Sequence, residues 1–358
     1  MRFAFIGLLL CSLFNLASAA EQPYVLVLSS QRNAETIAEA ARMFKDRYPD
    51  LRIQARTDAQ LRENPQQARE LLANSSGILG MGLYRPSVAQ LLPQLKQQGK
   101  PQLLFSSDHR LVKQSFWRQA LFTNDQQMRE ISASNPSEDF NTWLAQQFQR
   151  YPALTPWITA RSYWQAGGSE NISQLFAWFF QQLGKNTTPQ KAQPEPRLRW
   201  MSSGSIAAEL PVFKSGTVTL LVDHPGGGRP ADRALLRQLC RQLEQAPDSH
   251  CLVALAYWGE AGVRAVADIR DYLAKHPSLR LNGVVMLQDF VIGGGDGRHA
   301  VSELFGELNV PVIKAIKLRD RSAVERRLSA DGLAQEKVYY QVAMPELQGA
   351  SQPLVIAT

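Results

Sequence analysis

The sequence predicts an α/β protein made of two doubly wound units joined by a helical, aromatic-rich segment. Three observations predict it. Short apolar runs rich in β-branched residues alternate with amphipathic stretches in two separate blocks of the chain, which is the pattern of a parallel sheet covered by helices. The block between them carries Gln and aromatic residues at helical spacing. The chain has 358 residues, 44% of them hydrophobic, enough for two compact cores without a metal or disulfide staple.

Residues 1–19 read as a cleaved signal peptide. Arg2 gives the positive start, Phe3 to Phe14 the apolar stretch and Ala17-Ser-Ala19 the small-residue cleavage site. A membrane anchor needs about 20 apolar residues, whereas this run is shorter and ends at Asn15. Cys11 follows Leu10, so a lipoprotein site is not expected. The mature protein is therefore expected in the periplasm or outside the cell, and no other run is long enough to make it an integral membrane protein. Cys240 and Cys251 remain after cleavage. An oxidising compartment would allow them to join, but their spacing leaves a disulfide and two separate buried thiols both open.

The first unit is expected over 20–112. Tyr24–Ser29 is an apolar strand, and Ala34–Tyr48 places Ile37, Ala40, Ala41 and Phe44 on one helical face. Strands are expected at Leu51–Ala55, Gly77–Met81 and Gln102–Phe105, and helices at Gln66–Leu72 and Val88–Leu95. Residues 113–184 form the helical segment, with Trp and Phe residues that pack helices together. The stretch 185–213, containing several Pro and Ser residues, reads as a linker. The second unit, 214–320, repeats the alternation. Its strands are Thr217–Val222, Cys251–Ala256, Gly283–Leu287 and Val310–Ile316; its helices are Ala231–Gln245, Gly262–Lys275 and His299–Leu308. Both units thus read as Rossmann-like, flavodoxin-like folds, and residues 321–358 as the start of a further domain.

The net charge of +7 calls for an acidic partner. An exported protein rarely meets nucleic acid, and the basic residues are scattered rather than clustered. The one dense run, Lys314 to Arg327, reads as a solvated surface. A carboxylate-rich ligand satisfies the charge.

Ligands of doubly wound sheets bind beyond the carboxyl ends of the strands. Two loops fall there: Asp223-His-Pro-Gly-Gly-Gly-Arg229 and Asp289-Phe-Val-Ile-Gly-Gly-Gly-Asp-Gly-Arg-His299. They nominate Asp223, His224, Arg229, Asp296, Arg298 and His299 as ligand-binding residues. In one reading the glycine amides and a helix N-terminus cradle an anion, with a His near a metal or macrocycle. In the other the glycines let the chain turn and the polar groups face water. Neither loop is a nucleotide-binding fingerprint. His109 is a further ligand-side histidine, and no zinc, thiol-pair or serine-nucleophile motif is present.

A family resemblance then adds to these readings. Tyr163-Trp-Gln-Ala-Gly-Gly-Ser-Glu-Asn171, Leu308-Asn-Val-Pro-Val-Ile-Lys-Ala-Ile316, Ala330-Asp-Gly-Leu333, and Gln341-Val-Ala-Met-Pro-Glu-Leu-Gln-Gly349 with Pro353-Leu-Val-Ile-Ala357 resemble, in order, elements of the large subunits of cobaltochelatase (CobN) and of magnesium chelatase. The resemblance runs from about Thr142 onward and marks Gly167, Gly168, Glu170, Asn171, Pro345, Glu346 and Gly349 as family-motif residues. Two departures stand out: Gln348 replaces the family's Asp, and Asp223-His-Pro-Gly replaces its Tyr-Arg turn. Family members are much longer, so the resemblance covers an amino-terminal portion and the catalytic body is expected outside it.

The resemblance implies a tetrapyrrole ligand, a corrinoid or porphyrin, with cobalt or magnesium, and cobalamin biosynthesis as a setting. It implies an ATP-dependent ligase forming nitrogen–metal bonds, in which ATP enters only through partner subunits; an exported member would depend on such subunits or on membrane energy-coupling proteins. The expected function is tetrapyrrole binding in metal insertion or exchange. A periplasmic solute-binding protein without chemistry, or an inactive fragment, are the alternatives.

Overall fold

The computed structural model describes residues 23–83, 91–96, 99–106, 108–134, 139–225, 230–318, 323–328, 332–333 and 335–357. The expected signal peptide and Arg229 lie outside the described residues, and the helix expected at Val88–Leu95 is described from Leu91 onward.

The first sheet is built from β1 (Tyr24–Ser29), β2 (Arg52–Thr57), β3 (Gly77–Leu83), β4 (Gln102–Ser106) and two short strands, β5 (Phe116–Trp117) and β6 (Gln119–Ala120). Its order is β2-β1-β3-β4-β5-β6, with the first four parallel. Every residue of β1 is buried, as a central parallel strand covered on both faces requires. Each such leucine or valine contributes about 1.5–3 kcal/mol. Val25 and Val27 face one core and Tyr24, Leu26 and Leu28 the other, the alternation of a pleated strand.

The helical segment is one layer of this first unit. Helices Thr155–Ala166 and Gly168–Gln182 lie with Ala34–Arg47 over the Val25–Val27 face, where Trp157, Ile158, Phe176 and Phe179 fill the core. Phe44 stacks on Phe180 at 5.2 Å. The aromatics therefore pack helices, as their spacing predicts.

The stretch expected as a linker is held in place. Asn171 Nδ2 donates to Gln193 O at 2.6 Å while Gln193 N donates to Asn171 Oδ1 at 2.9 Å; Gln190 N donates to Gln174 Oε1 at 2.9 Å. It then enters the second sheet as β7 (Leu198–Ser202) and β8 (Ser205–Ala207). Buried amides on one helix supply the hydrogen bonds that an irregular backbone otherwise lacks.

The second sheet adds β9 (Gly216–Asp223), β10 (Ser249–Ala256), β11 (Leu279–Met286), β12 (Val312–Lys317) and β13 (Ser351–Ala357) in the order β13-β12-β11-β9-β10-β7-β8. Only the β7–β8 edge is antiparallel among its pairings. Helices Glu260–Lys275 and Gly294–Leu308 cover one face and Pro230–Leu243 the other. Residues expected to open a further domain instead supply β13, which pairs with β12 through Ala315↔Leu354 and Ile316↔Val355. In both units the first strand lies between the second and third, the flavodoxin-like order, with a switch point between first and third strands. Cys240 on helix Pro230–Leu243 and Cys251 on β10 form a disulfide, closing the alternative of two separate thiols. Among the described residues no helix is long and apolar enough to cross a membrane.

Candidate functional site

The two switch points face each other. Arg32, in the loop after β1, forms an ion pair with Asp289, in the loop after β11, and its guanidinium faces the Trp258 ring at 5.5 Å. Beside this contact opens a cleft of about 770 Å³, within the range of roughly 300–1,000 Å³ common for ligand sites.

The first unit contributes Arg32, Asn33, Glu35 and Trp164 to its lining; the second contributes His224, Tyr257 and Trp258, with Arg197, Arg199, Arg233 and Arg237 forming a basic wall. The wall is positioned locally. Arg197 lies over the Tyr257 ring at 5.0 Å. Arg199 Nη2 donates to Pro225 O at 3.2 Å and sits 3.5 Å from Glu195 Oε2, while its Nε has no hydrogen-bond partner among the described residues. Arg233 and Arg237 project from the helix that the disulfide fastens to β10.

Gly167 sits where the units meet. Its φ of 79° and ψ of 171° belong to a region essentially reserved for glycine, and a Cβ there would lie 2.1 Å from the Tyr257 hydroxyl. The Tyr257 hydroxyl is pushed up to about 12, chiefly by burial. Asn171 clamps this turn as well, its Nδ2 donating to Gly167 O at 2.6 Å.

Of the residues nominated from sequence, His224 lines the cleft. Its imidazole is partly exposed at the floor, 5.2 Å from Trp258. Burial, then the charge of Arg32, holds it well below the usual histidine range, against the opposite pull of Asp289; the ring is neutral near pH 7. Its Nε2 accepts from the Asp289 amide at 3.4 Å. Asp223 lies beneath, 2% exposed, and does not reach the cleft. Lys317 Nζ contacts both its oxygens at 2.7 Å, and Asp223 Oδ1 accepts the His224 amide at 2.8 Å.

The Gly-rich loop after β11 buries Val291 and Ile292 and leads into helix Gly294–Leu308. The Asp296 backbone belongs to that helix. Arg298 and His299, 3.4 Å apart, lie outside the cleft lining, so His224 and His299 do not converge. Lys314 and Lys317 correct the expectation of a solvated run: they are 2% and 5% exposed, because β12 sits between β11 and β13. Lys314 Nζ donates to Gln288 O, and burial lowers it to about 8. The visible signal was two lysines in an otherwise apolar strand. None of the five cleft arginines, Arg32, Arg197, Arg199, Arg233 and Arg237, was nominated from the sequence.

The Pro345–Gly349 signature ends a helix. Ala350 N donates to Pro345 O and Gly349 N to Glu346 O, each at 3.0 Å, and Gly349 takes φ 94°, the pattern of a glycine-stopped helix end. Gln348 is anchored in both directions: its Oε1 accepts from Ile292 N at 3.0 Å and its Nε2 donates to Ile292 O at 2.8 Å. A carboxylate could accept but not donate. Glu170 accepts from Gln174 at 2.6 Å. These motif residues shape the fold around the cleft; Gly167 and Gly168 alone among them line it.

The magnesium-chelatase H subunit of Cereibacter sphaeroides is 22% identical over 214 residues, 57% of this chain and 18% of that protein. The chain therefore spans less than a fifth of that relative. Among solved structures, the catalytic subunit of cobaltochelatase from Mycobacterium tuberculosis has a TM-score of 0.45 and 19% identity, over 94% of this chain and 24% of that one. A periplasmic ribose ABC transporter protein from Conexibacter woesei has a TM-score of 0.22 and 13% identity, over 95% and 91%. Scores this low decide nothing about the chain. The profile of the CobN/Magnesium Chelatase family, by contrast, matches residues 161–358, more than half of the sequence, and the chain belongs to that family.

Proposed function

We propose that the chain is an exported protein that binds a carboxylate-bearing tetrapyrrole between its two units and serves metal insertion or exchange on that macrocycle with partner proteins. The cleft lining carries this reading. A planar macrocycle with peripheral acids needs ring faces beside arginine donors, and Trp164, Trp258 and Tyr257 stand among five arginines. The unpartnered Nε of Arg199 is a donor that a ligand carboxylate would satisfy. His224, held neutral with its Nε2 accepting the Asp289 amide, would turn an Nδ1–H donor rather than a lone pair to the ligand, which leaves the substrate metal, cobalt or magnesium in this family reading, to the macrocycle. Residues 1–19 and the Cys240–Cys251 bridge support export to an oxidising compartment; ATP would then act only through partner subunits.

The test is a visible-absorbance titration of the mature protein with haem, metal-free porphyrin and a corrinoid. A saturable spectral shift with at least one at micromolar protein is expected. Silence with all three overturns the reading. Two lobes around one cleft also suit a small-solute receptor, and uptake of a neutral solute together with that silence would support this second function.

A further inference from the structure

Arg32 and Asp289 are 257 positions apart and meet across the cleft, with side chains 26% and 11% exposed. Arg32 faces the Trp258 ring at the same time and lines the cleft with His224 and Trp258. A guanidinium set between a ring face and a carboxylate is also the arrangement in which a planar acid is received: one group takes the acid, the other the flat body. In this structure the acid in that place is the protein's own Asp289.

We propose that Asp289 is a built-in stand-in for a ligand carboxylate: Arg32 is a carboxylate subsite, and an incoming acid group takes the place of Asp289 on it. The inference rests on the cleft being the site of a carboxylate-bearing macrocycle. Displacement does not strand Asp289. The ammonium of Lys314, bonded to the neighbouring Gln288 carbonyl, already feels the Asp289 charge and offers it a second partner. The Asp289 amide keeps its contact with His224 Nε2, so the loop need not move as the carboxylate turns away.

A purely structural latch and an internal competitor predict opposite signs. The probe is a tetracarboxyphenyl porphyrin, titrated against the mature wild type, Asp289→Asn, Arg32→Ala, Arg32→Lys and the Arg32→Ala/Asp289→Asn double variant, with thermal melts on each. Asp289→Asn is expected to bind on the order of tenfold tighter and Arg32→Ala on the order of tenfold weaker. The double variant should match Arg32→Ala, because Asp289 acts through Arg32. Arg32→Lys should fall between, having lost the two-pronged donor, and replaces the alanine variant if that fails to fold. A wild type that binds while Asp289→Asn binds equally or more weakly overturns the inference alone. Equal tightening by Asp289→Asn with and without Arg32 also overturns it. A wild type that binds no tetracarboxyphenyl porphyrin overturns the inference, and the site reading falls with it only if haem, metal-free porphyrin and the corrinoid are silent as well.

Discussion

His224 titrates against its surroundings. Burial and the Arg32 charge keep its folded pKa below the ordinary value of 6.5. As pH falls below about 6.5, the unfolded chain takes up a proton that the folded protein refuses, so stability drops by up to about 1.4 kcal/mol per pH unit until the folded pKa is reached. Thermal melts of wild type and His224→Gln between pH 7 and 5 should show the wild type losing stability faster; parallel curves would refute the assignment. His224 was legible because a histidine followed a strand at the sheet's carboxyl edge. Its neutrality was not, since Arg32 arrives from a loop nearly two hundred residues earlier. Asp223 shows the complementary limit. The right loop was visible, but its carboxylate turns inward to Lys317, a partner on a strand that only the fold brings near.

The strands and helices of both units were largely readable, because buried parallel strands are continuous apolar runs and their covering helices keep one apolar face. β7 and β8 were not. Their stretch is broken by prolines and polar residues, and they exist as strands because β10 offers an edge. The Gly167–Gly168 turn was visible as a motif, while its reason, contact with Tyr257, is tertiary. Gly167→Ala should cost about 1–3 kcal/mol from backbone strain, with further cost from the 2.1 Å approach to the Tyr257 hydroxyl. Differential scanning calorimetry of the variant checks this, and an unchanged melting temperature would remove the turn from its role as the joint between units.

At the scale of the molecule, two sheets of like strand order set their switch points mouth to mouth. Each unit could be inferred alone; that they share one cleft could not, since no local pattern encodes the approach of Arg32 to Asp289. The basic wall escaped notice for the same reason, its arginines coming from a strand edge and a helix separated in sequence by β8 and β9. Removing the Cys240–Cys251 bridge, which spans 11 positions, should cost about 3 kcal/mol in the loop-entropy account. Urea unfolding of the Cys240→Ser/Cys251→Ser variant measures it; an unchanged midpoint contradicts that account.

That bridge also ties two chemistries together. Arg237 and Arg233 stand three and seven positions before Cys240 on one helix, about one and two turns away, so the sulfur bond pins the support of half the basic wall's arginines. Oxidation at Cys240 and Cys251 is then linked to the geometry of the wall: a molecule whose thiols are not yet joined would present a looser set of donors than one whose bridge has closed.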